Sequence, residues 1–239
     1  MKAFETIPRD LPSAYNAVME RIEQGDDSDT QLALKILSWV YRAQRTLRMI
    51  ELLEALVVED GDRSLQREEM LTPSEVIACC KSLVIYDDTN GLVRFAHYTV
   101  KEFIEVRLQQ ELPPASDLAK TCLTYLAFDE FETPCTDDKS LQDRIQQFDF
   151  SRYAAQFWAS HVKGDAERLD DIQRAIFGIL ACDNKRNSML QIDTYFWSSV
   201  SDQTFLHIVA NNGLATICAL VLYGGSIGSS ERFLFHVRS

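Results

Sequence analysis

The residues of this chain that could carry out nucleophilic chemistry are two adjacent cysteines, Cys79 and Cys80, followed later by His97. A thiolate activated by an imidazole is the nucleophile of a cysteine hydrolase, and the same three side chains could supply half of a metal site. Neighbouring positions on a helix point roughly 100° apart, however, so both thiols do not easily face one ion. We favour core packing for one cysteine and a half-buried thiol for the other, with a cysteine hydrolase as an alternative.

Sites for metals and nucleotides are not predicted. The acidic clusters at residues 26–29, 87–88 and 137–138 lack the spacing and the glycine of an EF-hand loop, and we interpret them as solvated turns. None of the nine glycines begins the phosphate-binding pattern G-x-x-x-x-G-K-S/T. The sequence therefore predicts no cofactor, no metal and no catalytic residue.

The charge of the chain argues against nucleic acid and membrane partners. The formal net charge is −12, which repels phosphates and anionic lipid. The densest basic stretch, Arg42, Arg45 and Arg48, has helical spacing and is followed by Glu51 and Glu54, so we expect a solvated or ion-paired helix face.

The compartment is predicted from cysteines and hydropathy. Six cysteines without a C-x-x-C pair are expected to be reduced thiols of a cytoplasmic protein. The N-terminus has no apolar signal region, and no stretch approaches the roughly 18 apolar residues of a membrane span.

Apolar spacing predicts three helices in the first part of the chain. The first has Pro12 in its first turn, the second has Asp29 as its N-cap, and the third is short. Their apolar positions are, in turn, Tyr15, Val18, Met19 and Ile22; Leu32, Ile36, Trp39, Val40 and Ala43; and Leu52, Leu53 and Leu56.

The clearest local signals of secondary structure come after these three helices. The run Thr72-Pro73-Ser74-Glu75 predicts a helix start with a capping box. Two β-rich runs, 83–86 and 92–95, flank an Asn90-Gly91 turn and predict a hairpin. A closing helix carries Val100, Phe103, Ile104 and Leu108 and ends before Pro113-Pro114.

Helices followed by a two-stranded wing and a closing helix are the order of a winged helix, here over residues 10–110. Many winged helices bind DNA through the helix before the wing, but residues 72–82 carry only Lys81 as a cation, and the wing tip carries Asp87 and Asp88. We therefore predict a winged helix that packs against protein. The rest of the chain is predicted to be helical, in segments 116–128, 139–147, 149–162, 165–181 and 187–199.

Three stretches of the first 110 residues resemble the winged helix that follows the NTPase core of fungal NACHT-type (STAND) proteins. They are LPSAYNAVMERI, ILSWVYRAQRTLRMIELLEAL and RFAHYTVKEFI. This domain is also named after GPI inositol-deacylase. The most specific piece, residues 95–103, is similar to the family motif F-x-H-x-S/T-V-x-E-Y/F. The motif residues expected to be structural are His97, Val100, Glu102 and Phe103. His97 is expected to bond the local backbone at the helix start, with a pH switch as the alternative.

A second resemblance begins at residue 202. The run QTFLHIVANNG is similar to the ankyrin opening T-P-L-H-x-A-A-x-x-G, with Phe205 and Val209 replacing smaller consensus residues. It predicts one divergent repeat over 201–226, in which Thr204, Leu206, His207 and Gly213 are structural. Residues 224–239 leave the repeat pattern, which suggests an array cut short.

These resemblances predict a mainly α protein: a winged helix at 10–110, a helical connecting domain at 115–200 and an ankyrin-like helix pair at 201–226. They imply a non-catalytic regulatory or scaffolding segment whose partners are proteins, or a NACHT NTPase core normally in cis. Nucleotide binding would belong to that core. A stand-alone protein-interaction adaptor is the alternative, and the oligomeric state stays open.

Overall fold

The hairpin of the chain is embedded in a mainly helical fold, as the sequence predicts. The computed structural model describes residues 11–195 and 203–223. Backbone contacts divide the chain into a first unit, Met1–Val57 with Arg67–Pro114, and a second unit, Val58–Gln66 with Ala115–Ser239. Each unit has its own buried residues and is described separately.

The first unit has the element order of a winged helix. Its helices and strands are α1 (Leu11–Glu23), α2 (Asp27–Arg42), α3 (Met49–Val57), α4 (Pro73–Cys79), β1 (Val84–Asp87), β2 (Leu92–Phe95) and α5 (Tyr98–Phe103). A 3-10 turn, Arg67–Glu69, lies between α3 and α4, and a π-helical turn, Ile104–Leu108, continues α5. Its largest fully buried side chains come mainly from α2, α3 and this π-helical turn: Trp39, Ile36, Leu37, Leu52 and Ile104.

The wing is an antiparallel pair in which Val84 lies opposite Phe95 and Asp87 opposite Leu92. Its turn contains Gly91 at φ 73°, a left-handed conformation that glycine adopts without strain. The outer edge of β2 also pairs with the chain before α3, because Val93 N–H donates to Leu47 O at 2.9 Å. The hairpin predicted from Asn90-Gly91 is therefore confirmed.

The capping box of α4 is also confirmed. The Thr72 hydroxyl accepts the N–H of Glu75 at 3.3 Å, and the Glu75 carboxylate accepts the N–H of Thr72 at 2.6 Å. These bonds stabilise the ionised carboxylate, so the backbone N–H and then the hydroxyl of Thr72 lower the pKa of Glu75. The α4 helix ends at Cys79. Two residues with left-handed φ, Lys81 and Ser82, follow it before β1 begins.

The start of α2 and the helical spacing of the basic stretch were predicted wrongly. The N-cap of α2 is Asp26, with no side-chain capping bond, and Asp29 lies in the first turn. An acidic side chain there stabilises the helix N-terminus without capping it. The helix ends at Arg42, so Arg45 lies in a bend and Arg48 in the segment before α3, where the backbone at Leu47 pairs with β2.

The second unit is built from helices and short 3-10 turns. Its helices are α6 (Ala115–Leu126), α7 (Asp138–Gln147), α8 (Ser151–Val162), α9 (Asp170–Leu180), α10 (Asp183–Thr194), α11 (Phe205–Asn211) and α12 (Ala215–Tyr223). An aromatic cluster forms part of its buried interior: Tyr125, Phe128, Phe131, Phe148, Phe150 and Tyr153.

Two predicted helices of this unit differ from the structure. The segment 165–181 is a 3-10 turn, Asp165–Arg168, followed by α9, with Leu169 in an extended conformation between them. The segment predicted at 187–199 begins earlier, at Asp183, because the polar first turn is stabilised by a 2.6 Å bond from Arg186 to Asp183. It ends at Thr194, where Tyr195 has φ 58°, and residues 196–199 lie outside the described residues.

Candidate functional site

The structural role of His97 is to cap α5. Its backbone is extended, and its Nδ1 accepts the N–H of Thr99 at 3.4 Å. The same nitrogen lies 2.8 Å from Thr99 Oγ1, which in turn lies 2.7 Å from the Tyr15 hydroxyl on α1. The imidazole thus belongs to a three-residue hydrogen-bonded chain that ties α5 to α1.

The next motif residues divide between the core and the surface. Val100 and Phe103 are buried in the first unit, and the Phe103 ring lies 5.3 Å from the Tyr15 ring. Glu102 lies on the same helix and is half-buried. Its Oε2 is buried and has no hydrogen-bond partner among the described residues. Buried carboxylate oxygens are normally paired, so this atom is the exception within the motif.

The two thiols occupy different environments. Cys80 is buried, and the neighbouring Cys79 thiol together with burial raises its pKa. Cys79 is partly exposed, and its pKa is lowered, chiefly by a hydrogen bond from Cys80. Its Sγ lies 3.6 Å from Asp29 O, which accepts a hydrogen bond from the thiol. His97 Nδ1 meanwhile contacts Thr99, so these geometries do not bring the imidazole and the thiols together into a catalytic pair.

The described part of the chain has neither a candidate metal cluster nor a candidate membrane-spanning helix. Residues 11–195 and 203–223 contain no cluster of three or more His, Cys, Asp or Glu side chains that could hold a metal ion. No helix in these ranges combines the length and the apolar character needed to cross a bilayer.

The ion pairing of the basic stretch centres on a buried carboxylate. Glu51 is 3% exposed and receives two 2.8 Å bonds from the Arg45 guanidinium and one from the N–H of Arg48. Burial raises the pKa of Glu51, but these bonds and the two guanidinium charges outweigh it, and the pKa is lowered overall. The ion pairing expected from the sequence is present, although it orders a connection rather than a helix face.

The ankyrin-like residues form the N-terminus of α11. Thr204 and His207 make a reciprocal cap, with the Thr204 hydroxyl accepting the N–H of His207 and Nδ1 accepting the N–H of Thr204. Leu206 is half-buried. Gly213 has φ 69°, and a Cβ at this position would lie 3.3 Å from Lys163 Nζ. The positive φ favours glycine there, whereas the Lys163 side-chain terminus could move aside for a Cβ.

The residue that anchors this helix pair was not singled out from the sequence. Glu167 is buried, and its two carboxylate oxygens accept the N–H of Gly164 at 3.2 Å and of Thr216 at 2.8 Å. The second bond caps α12 from a distant turn of the same unit. The Phe205 ring also packs edge-on against Phe177 on α9, 4.8 Å away. No local pattern pointed to Glu167, because its partner lies far along the chain.

The apolar surface of α12 is only partly covered. Ile217 is buried, whereas Leu222 is 58% and Tyr223 85% exposed. The last residues of the predicted repeat, 224–226, and the tail that follows lie outside the described residues.

Comparison with known proteins identifies the type of the first region. Residues 19–128 match the family model described as the winged helix domain of GPI inositol-deacylase. The match begins within α1 and ends just after α6. No curated protein and no solved structure matches the chain. The winged helix predicted from the sequence is supported by this match and by the element order of the first unit.

Proposed function

We propose that this chain is a non-catalytic regulatory and interaction segment of a NACHT-type (STAND) signalling protein. In this proposal the winged helix packs against an NTPase core in cis, and the second unit connects that core to ankyrin-like repeats. The observation that carries the proposal is Oε2 of the half-buried Glu102, which is buried and has no hydrogen-bond partner among the described residues. On binding, rotation of this carboxylate would bring the oxygen to a donor on the partner and recover the free energy that its burial costs.

The other residues of the motif explain why Glu102 is the group that remains for a partner. Val100 and Phe103 fill the core of the first unit, and His97 caps α5 through Thr99. These side chains therefore stabilise the helix that presents Glu102. A motif that served the isolated domain alone would be expected to satisfy its carboxylate internally.

The repeat side of the proposal is supported by α11 and α12. Thr204 and His207 cap α11, and Gly213 adopts the left-handed turn before α12, which suits the resemblance to an ankyrin repeat. Leu222 and Tyr223 leave apolar surface on α12 that a following repeat would cover. Proteins, rather than nucleic acids, are the proposed partners, because α4 carries no cation and the net charge is −12.

The proposal also places the chain in the cytoplasm and assigns it no catalytic activity. Its six cysteines are unpaired, which suits a reducing compartment. Nucleotide binding would reside in the NTPase core. The purified chain is therefore expected to bind neither ATP nor GTP, and micromolar affinity for either nucleotide would contradict the assignment.

Binding to an NTPase core tests the proposal through Glu102. The core would come from a fungal NACHT protein in which the same winged-helix family follows the core, and affinity would be measured by titration calorimetry. We expect Glu102→Ala to weaken binding by about tenfold, whereas the matched variant Glu105→Ala, which removes an exposed carboxylate of the adjoining turn, leaves it unchanged.

A stability measurement on the isolated chain separates this role from a purely structural one. Because Glu102 Oε2 has no hydrogen-bond partner in the described part of that chain, Glu102→Gln should leave the free energy of unfolding unchanged or raise it. Marked destabilisation by Glu102→Gln, or equal core binding by wild type and Glu102→Ala, would refute the proposed contact.

A stand-alone adaptor is the second candidate, and one observation favours it. The inner face of α11 is covered within the second unit: Phe205 contacts Phe177, and Ile208 and Val209 are buried. A helix pair anchored in this way is stable without further repeats. The adaptor would bind its protein partner with no NTPase core present, which the same titration distinguishes.

A further inference from the structure

A cleft of about 230 Å³ lies in the first unit where the chain before α3 leaves β2. The last backbone bond between the two is from Val93 N–H to Leu47 O. The Ala96 N–H bonds Leu83 O within the hairpin. Because successive N–H groups of an antiparallel strand point to opposite sides, the Phe95 N–H points to the other side of β2, where the chain before α3 has moved away. The cleft thus adjoins a strand edge at which the Phe95 N–H bonds no acceptor among residues 11–195 and 203–223.

Cations line this cleft. They are Arg45, Arg94 and Lys101, and no carboxylate is among the lining residues. The charge of Arg45 is balanced by Glu51. Arg94 and Lys101 are exposed, and the side chain of neither has an ion pair or a hydrogen bond within the part of the chain that the structure describes. In a chain of net charge −12, this is a local reversal of sign that favours an anionic ligand.

The remaining wall of the cleft is apolar. It is formed largely by Val40, Ala43, Leu47, Val93 and Phe95. A bare phosphate would leave this wall uncovered, and the acidic wing tip at Asp87 and Asp88 disfavours a nucleic acid strand. An apolar side chain beside a carboxylate matches both the wall and the cations.

We propose that this cleft binds an acidic, extended peptide segment of a partner protein. One apolar side chain enters the cleft, a neighbouring carboxylate lies against Arg94 and Lys101, and the Phe95 N–H donates to the peptide backbone. This inference goes beyond the proposed function, because it involves neither Glu102 nor an NTPase core, and either can fail without the other.

Fluorescence anisotropy with the full chain tests the cleft. The probe is a fluorescein-labelled octapeptide of alternating valine and glutamate, with a valine–glutamine peptide as its control. We expect saturable binding of the acidic peptide that the double variant Arg94→Gln/Lys101→Gln weakens by about tenfold or more. The matched double variant Arg21→Gln/Arg107→Gln removes two exposed cations outside the cleft and should change binding by less than about twofold.

A charge-reversal variant and hydrogen exchange, which locates the bound peptide, complete the test. Arg94→Glu/Lys101→Glu should lose the glutamate peptide and gain a valine–lysine peptide. Hydrogen exchange of the wild-type chain should show peptide-dependent protection at residues 40–47 and 93–101. The proposal would be overturned if the Arg94→Gln/Lys101→Gln variant bound the acidic peptide as well as wild type, or if the glutamine peptide bound equally well. Protection at other residues would also overturn it, as would tight binding of oligothymidylate or inorganic phosphate in place of the peptide.

Discussion

Glu167 accepts a 2.8 Å hydrogen bond from the backbone N–H of Thr216 and thereby caps α12 from a turn 49 residues earlier. Its other carboxylate oxygen accepts the N–H of Gly164 within that turn. A single buried side chain thus joins the helix pair α11–α12 to the rest of the second unit. The helix pair should therefore be sensitive to changes at Glu167.

Glu167→Gln is expected to loosen this junction. An amide has one acceptor oxygen where the carboxylate has two, so one backbone N–H loses its partner at a cost of about 1–3 kcal/mol. Hydrogen exchange should show faster exchange in residues 205–223, and urea unfolding should show the loss of stability. Glu130→Gln, at an exposed position of the same unit, is the control and should behave as wild type. Unchanged exchange in α12 would show that Glu167 does not hold it.

The ion pair between Arg45 and the buried Glu51 predicts a pH dependence of stability. The pKa of Glu51 is lower in the folded chain than its ordinary value of 4.5. As pH falls through 4.5, the unfolded chain takes up a proton that the folded chain does not, so unfolding becomes more favourable. The contribution of Glu51 is complete above that pH and is lost as pH falls through the folded pKa.

Glu51→Gln should therefore lower the free energy of unfolding near neutral pH, by about 2 kcal/mol. The difference from wild type should shrink below pH 4.5. Urea unfolding of both proteins across a pH series measures it. A difference that is constant with pH would mean that the Glu51 charge contributes nothing.

Much of the first unit could be predicted from sequence because its signals are local. Thr72 and Glu75 are three residues apart, and Asn90-Gly91 is a turn dipeptide, so neither depends on the rest of the fold. The non-helical conformation around Arg45 could not be predicted in this way. It depends on pairing between Leu47 and Val93, which are distant in sequence, and this pairing overrides the helical spacing of the arginines.

Only part of the candidate site could likewise be predicted from the sequence. The capping role of His97 was expected from its place before α5, but the family motif alone gave no sign that a buried oxygen of Glu102 has no partner among the residues that the structure describes. Burial of a single atom depends on the packing of several elements. Glu167 was missed for a similar reason, because Thr216 lies far along the chain.

Thiol reactivity separates the two adjacent cysteines. Cys79 is partly exposed with a lowered pKa, whereas Cys80 is buried with a raised pKa. Under mild alkylation of the folded chain, Cys79 should react and Cys80 should be protected until unfolding. Peptide mapping by mass spectrometry measures this, with exposed Cys182 as an internal reference. Rapid labelling of Cys80 in the folded state would contradict the structure and favour the cysteine-hydrolase alternative.

The most direct test of the central claim is hydrogen exchange of the chain with and without a NACHT NTPase core. If the winged helix packs on that core through the surface that presents Glu102, protection should increase at residues 97–108 and should be lost in Glu102→Ala. Protection confined to residues 203–223, or no change with the core, would contradict the claim and favour the stand-alone adaptor.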